Sequence, residues 1–364
     1  MNEQRKHNFN PGPAALPLEV LEEAQEAFVE YGGLGMSMME VSHRSKAYEQ
    51  VHEETQSLLL EVLGLPSGYR VLFMGGGASA QFALVPMNLL TEGKSGVYLL
   101  SGSFAEKAYL EALTVGDAVV AASTKEQGWR VLPKTDGLPI PPNAAYVHMT
   151  TNNTIEGSQF RTFPEPAYDV PLIGDMTSDL LCRDIDLSRF ALIYAGAQKN
   201  LGPAGVTAVI IRDDLLERAS KTIPAIFRYA TFADSGSLYN TPPVHSIYMV
   251  NLVLKWVQRQ GGVAALERRN ARKAQRIYEA IDVSGGFYQG IIEKDCRSIM
   301  NITWRMVSDA LTPLFVEQSE RYGFDGLAGH RSVGGLRASA YNAVTEESCR
   351  ALADFMTDFQ KRYG

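Results

Sequence analysis

Three groups of residues have the types and spacing to do chemistry together. Gly75-Gly76-Gly77-Ala78-Ser79-Ala80 follows the apolar run from Tyr69 to Met74 and opens a helical pattern. Unhindered backbone N–H groups and the Ser79 hydroxyl would there form an anion cradle at a helix N-terminus, suited to one phosphate group. Asp175 closes the run Val170 to Ile173 in Gly174-Asp175, and Lys199 lies in the small-residue loop after the next apolar run, Leu192 to Ala195. Gly196, Ala197, Leu201, Gly202, Pro203 and Gly205 around that lysine would desolvate its amine and lower its pKa, and such an amine can form a Schiff base.

The elements that must position these groups read as strands alternating with helices. Apolar positions at helical spacing run from Val20 to Tyr31, ending at Gly32-Gly33, and from about Ala47 to Val62, ending at Gly64. Short, continuously apolar strands follow at Tyr69–Met74, Val97–Leu100, Ala118–Ala122, Ala145–Met149, Val170–Ile173, Leu192–Ala195 and Val206–Ile211. This is the pattern of an α/β protein with a mostly parallel sheet covered on both faces, in which ligands gather at strand ends. A long helical region from Val244 to Ala280 is interrupted at Gly261-Gly262. Beyond it Ile299–Trp304, Thr312–Tyr322, Val333–Ser339 and Glu346–Tyr363 alternate as a smaller second α/β unit.

A phosphate cradle, an acid and a desolvated lysine at one sheet edge are what pyridoxal 5′-phosphate needs. A carboxylate against the pyridinium nitrogen keeps the ring cationic, and the lysine holds the aldehyde and shuttles a proton. Competing readings lack a part. The glycine turn satisfies the letter of a dinucleotide fingerprint, but the next strand ends in Ser101-Gly102 rather than an acid. Gly93-Lys94-Ser95 lacks the earlier glycine of a P-loop, and Gly77-Ala78-Ser79-Ala80-Gln81 lacks the last glycine of a nucleophile elbow. His52-Glu53-Glu54 reads as a solvated helix face, as does the basic stretch of Arg268, Arg269, Arg272, Lys273 and Arg276.

Blocks along the whole chain resemble the phosphoserine aminotransferases, class V aminotransferases of fold type I. They include Phe9-Asn10-Pro11-Gly12-Pro13-Ala14, Met39-Glu40-Val41-Ser42-His43-Arg44, Asn152-Asn153-Thr154-Ile155-Glu156-Gly157, Tyr194-Ala195-Gly196-Ala197-Gln198-Lys199-Asn200, Tyr239-Asn240-Thr241-Pro242-Pro243, Gly329-His330-Arg331 and Gly334-Gly335-Leu336-Arg337. The resemblance implies that Lys199 carries the cofactor, Asp175 pairs with its ring nitrogen and Thr154 bonds its ring hydroxyl. It implies that Ala78, Ser79 and Gln198 hold its phosphate, reached by Asn240 and Thr241 of a neighbouring subunit in a homodimer. Phe104 stands where the family commonly has Trp against the ring, and its smaller π-face implies weaker cofactor retention. Arg337 would take the substrate α-carboxylate, while His43, Arg44, His330 and Arg331 would take a substrate phosphate or the glutamate side-chain carboxylate.

The implied reaction converts 3-phosphohydroxypyruvate and L-glutamate to O-phospho-L-serine and 2-oxoglutarate, in serine biosynthesis. Use of a phosphorylated four-carbon keto acid in pyridoxine biosynthesis stays open. The expected domains are residues 16–265, binding the cofactor, and residues 1–15 with 266–364. Rival readings are a relative with another outcome, such as an alanine–glyoxylate or desulfurase type, or a phosphate-binding protein without catalysis.

Composition fits a cytoplasmic enzyme. The chain has 364 residues, 45% of them hydrophobic, and 34 basic against 41 acidic residues give a net charge of −7, which repels nucleic acid and anionic membrane. Its three cysteines, Cys182, Cys296 and Cys349, are scattered, and its six histidines show no H-x-x-x-H metal spacing. Met1 to Asn8 is too polar for a secretory leader.

Overall fold

Along the central strands, successive side chains enter opposite cores, as the two-residue period of a pleated strand dictates. Val71 and Phe73, Val97 and Leu99, Ile193 and Ala195, and Ala208 and Ile210 join one buried cluster; Leu72 and Met74, Tyr98 and Leu100, Leu192 and Tyr194, and Val209 and Ile211 join the other. In the computed structural model, which describes residues 5–166 and 170–364, these strands form one seven-stranded sheet. Part of the N-terminal stretch read above, residues 1–4, lies outside the described residues.

The sheet order is Tyr69–Met74, Thr207–Arg212, Leu192–Gly196, Leu172–Asp175, Ala144–Thr150, Ser95–Leu100 and Asp117–Ser123. Helices Leu18–Val29, Lys46–Val62 and Val244–Arg259 cover the first core, and Gly77–Leu89 with Ser103–Val115 cover the second. The sheet is parallel except for Thr207–Arg212, which runs antiparallel to both neighbours. Its direction follows from its connection: residues 197–206 contain no helix, and without a crossover element a chain can only return antiparallel.

A third core lies apart from the sheet. It gathers Phe9, Ile277, Trp304, Phe315, Phe355 and Phe359 around the three-stranded sheet of Tyr288–Gly290, Asn301–Met306 and Leu336–Ser339. The strand expected from Val333 starts only at Leu336, because Gly334 and Gly335 adopt φ of 72° and 65°. Two short pairings have no counterpart in the sequence reading. His7–Asn8 pairs with Phe324–Asp325, and Asn152–Asn153 pairs with Ser158–Gln159.

Two helix faces read as solvated are corrected. Lys273, within helix Gly262–Asp282, is fully buried, with Nζ donating to the carbonyls of Ala340, Tyr341 and Val344 at 3.0, 2.7 and 3.0 Å. His52 is buried too: its ring pairs with the Tyr48 hydroxyl at 3.2 Å and with the Gly236 carbonyl at 3.0 Å. Among the described residues, no helix is long and apolar enough to cross a membrane.

Candidate active site

Strand register brings the candidate chemistry to one edge. Asp175 lies opposite Thr150 on one side and Tyr194 on the other, while Thr207 lies opposite both Gly196 and Met74. The loops that begin at Met74, Asp175 and Gly196 therefore leave the sheet together, in the crevice where open α/β sheets bind ligands. They line a cavity of about 370 Å³.

The first wall is the glycine turn. Gly76 has φ of 87°, and a Cβ there would fall 2.5 Å from that of Ala80, so only glycine fits. Helix Gly77–Leu89 starts from this turn with no side-chain cap and no acid in its first turn. Gly77, Ala78 and Ser79 line the cavity at that N-terminus, where backbone donors and the helix dipole favour an anion.

Asp175 and Lys199 face the same space. Both are buried. Desolvation pushes the Lys199 amine down to about 8; the Asp175 charge opposes this and Arg337 reinforces it. Burial also raises the Asp175 carboxyl, against hydrogen bonding from Thr177, whose backbone N–H donates to Oδ1 at 3.0 Å, and against the Lys199 charge. In both cases burial outweighs the pair's mutual attraction. The site thus holds an acid that gains from a cationic partner and an amine made easy to deprotonate.

The Asn152–Gln159 hairpin supplies the next contacts. Lys199 Nζ donates to Thr154 Oγ1 at 2.6 Å, and Arg337 Nη1 donates to the Thr154 carbonyl at 3.1 Å. One residue thereby spaces the amine from the guanidinium. Arg337 is buried and lines the cavity, and its Nε has no hydrogen-bond partner among the described residues. Phe104 lines the cavity with its ring centroid 5.7 Å from Lys199 Nζ, and His330 lines it with Nδ1 2.6 Å from Ser332 Oγ.

Of the residues singled out in the sequence, Ala78, Ser79, Phe104, Thr154, Asp175, Gln198, Lys199, His330 and Arg337 meet around this cavity. His43, Arg44 and Arg331 do not line it; Arg44 and Arg331 are exposed and His43 is half-buried. Asn240 and Thr241 are exposed and line a second cavity, across the Gly75-Gly76 turn from the first.

The sequence reading gave no role to Thr177 or Ser178, which line the site two and three residues after Asp175. The Asp-x-Thr spacing of a side chain capping its own turn was the available signal. Nor did it place Pro11 and Gly12 against Lys199, where a Cβ on Gly12 would lie 3.4 Å from the lysine Cγ and Ala14 N donates to the Gln198 carbonyl at 2.9 Å. None of the three cysteines lines the cavity.

The chain is similar to known proteins over its whole length. A phosphoserine aminotransferase of Niallia circulans is 56% identical over 361 residues, covering 99% of each chain. The solved phosphoserine aminotransferase from Bacillus circulans subsp. alkalophilus superposes with a TM-score of 0.98 at 56% identity, covering 100% of both chains. The PLP-bound phosphoserine aminotransferase from Trichomonas vaginalis gives a TM-score of 0.91 at 36% identity, covering 97% of this chain and 100% of that one. The family model for aminotransferase class-V matches residues 6–352, and with its lysine, acid and glycine turn in one cavity the chain belongs to that family.

Proposed function

We propose that the protein is a pyridoxal-phosphate-dependent transaminase that converts 3-phosphohydroxypyruvate and L-glutamate to O-phospho-L-serine and 2-oxoglutarate. The observation that carries the reading is the single cavity lined by the Gly77–Ser79 helix start, Asp175, Lys199 and Arg337. That set fits the cofactor on chemical grounds: a donor-rich cradle without acids for its phosphate, a buried acid for its ring nitrogen, and a buried amine for its aldehyde. When bound, the cofactor supplies an electron sink for the bond that breaks at the amino acid Cα.

The protein's own residues divide the remaining work. The Gly77, Ala78 and Ser79 backbone holds the phosphate, with Gln198 beside it. Asp175 holds a proton on the ring nitrogen, and the Phe104 face limits ring movement and water access. Lys199 Nζ, with its amine lowered to about 8, takes the Cα proton once the substrate is seated. Arg337 takes the substrate α-carboxylate, and its bond to the Thr154 carbonyl fixes it relative to Lys199. His330, beside Arg337, donates a hydrogen bond to an anionic side group, with Arg331 and Arg44 as cations and His43 as a further donor.

The reading includes a homodimer, in which Asn240 and Thr241 complete the neighbour's phosphate site. Their exposure, with Tyr239 47% exposed beside them, supports it. It also includes a cytoplasmic location and a division into residues 16–265 and residues 1–15 with 266–364, supported by the separate core that joins Phe9 to the C-terminal segment.

The test is a half-reaction panel that follows the cofactor's visible band. O-Phospho-L-serine and L-glutamate should each convert the band, with L-serine and L-alanine slower by at least tenfold, as loss of one charged contact implies. Serine as fast as phosphoserine would sink the substrate assignment.

A further inference from the structure

Helix Ser103–Val115 carries Phe104 in its first turn, yet its N-cap is Gly102, which has no side chain to cap it. The cap comes from across the site. Glu156 is buried, and its Oε1 accepts from Ser103 N at 2.8 Å and from Ser103 Oγ at 2.6 Å. A carboxylate at that point satisfies an orphan donor and lies at the favourable end of the helix dipole. Glycine at 102 leaves room for that carboxylate and for Asn153. A Cβ there would fall 2.7 Å from Glu156 Oε2 and 2.6 Å from Asn153 Oδ1.

The other end of Glu156 faces the strand of the substrate clamp. Its carbonyl accepts from Thr303 Oγ1 at 2.6 Å, and Thr303 is the register partner of Arg337. Two residues earlier, Thr154 receives both Lys199 and Arg337. Gly157, with φ of 93°, lets the chain pass so close that a Cβ would lie 2.8 Å from the Asn301 carbonyl.

We infer that Glu156 is a positioning residue, whose side chain fixes the first turn of the Ser103–Val115 helix and so holds the Phe104 ring over the site, while its main chain ties that helix to the Arg337 strand. The inference rests on the proposed role of Phe104 as the face against the cofactor ring. It makes Glu156 act on cofactor retention only through Phe104.

The experiment is a double-mutant cycle on the full-length protein, comparing wild type, Glu156→Ala, Glu156→Gln, Phe104→Ala and the Glu156→Ala/Phe104→Ala pair. The readouts are the dissociation constant of pyridoxal phosphate and, in cofactor-free protein, amide exchange at Ser103. Glu156→Ala is expected to weaken binding about tenfold, as loss of a hydrogen bond to a charged group does, and to speed exchange at Ser103. Glu156→Gln, whose carbonyl oxygen can still accept from Ser103, should recover most of both. The pair should bind no worse than Phe104→Ala alone.

Wild-type binding by Glu156→Ala, effects that multiply in the pair, or no recovery in Glu156→Gln would each overturn the inference. If Glu156→Ala does not fold, Ser103→Ala replaces it in the cycle, with the same criterion for the pair. Unchanged binding by Phe104→Ala would overturn the reading of Phe104 itself, and fast Ser103 exchange in Glu156→Ala would then show that the cap was still lost.

Discussion

Among the described residues two lysines are buried, and they differ in almost everything else. Lys273 Nζ donates to three carbonyls, those of Ala340, Tyr341 and Val344, and does not line the cavity around Lys199. Lys199 has one hydroxyl partner, Thr154, and a cavity of about 370 Å³ beside it. Burial lowers both amines, Lys273 to about 7 and Lys199 to about 8. A depressed pKa therefore does not distinguish reactive from structural lysines. Unfilled hydrogen-bonding capacity next to open space does.

Exchanging their environments in thought yields tests. Lys199→Ala should cut turnover by at least about 10³-fold, the range of a lost acid–base group, and abolish the covalent absorption band while leaving the protein folded. Retained turnover would remove the distinction altogether. Lys273→Met should do the reverse, costing about 3 kcal/mol in urea unfolding because three carbonyls lose their donor, with turnover per folded molecule unchanged. A lost absorption band in that variant would give Lys273 a role in the chemistry.

The same pair predicts opposite kinds of pH dependence. Capture of the cofactor aldehyde needs a neutral Lys199, so its rate in cofactor-free protein should rise with pH and level off above about 8. Because the Arg337 charge lowers that amine, Arg337→Leu should move the midpoint upward. For Lys273, the native state binds fewer protons than the unfolded chain between about 7 and the free-lysine value of about 10.4. Its contribution to stability should therefore rise with pH across that window, and Lys273→Met should flatten the slope. The smallest expected effect is Phe104→Trp, about threefold tighter cofactor binding from a larger ring face, measured by titration. No tightening would remove the expectation that Phe104 weakens retention.

The difference between the lysines also marks what the sequence could reveal. Lys199, Asp175 and the glycine turn were legible because each lies at or just past the end of a strand whose apolar run is local and continuous. Lys273 was misread because its neighbours Arg272 and Arg276 are exposed, and its burial depends on carbonyls 67 to 71 residues away. His52 was misread for the same reason, its partner Gly236 lying 184 residues on. The two-residue strands of the Asn152–Gln159 hairpin carry no periodicity to detect, although Thr154 and Glu156 make its decisive contacts. The direction of Thr207–Arg212 was available from the helix-free connection before it.

The walls around Lys199 come from segments some 330 residues apart in sequence. Gly12 packs beside its stem, Pro11 and Arg337 line the same cavity, and the Tyr341 hydroxyl ties the two segments by donating to the Pro11 carbonyl at 3.0 Å. All seven strands of the central sheet lie between Tyr69 and Arg212, so the sheet can assemble before Arg337 and Tyr341 are translated, but the pocket cannot close around the amine until they join the fold.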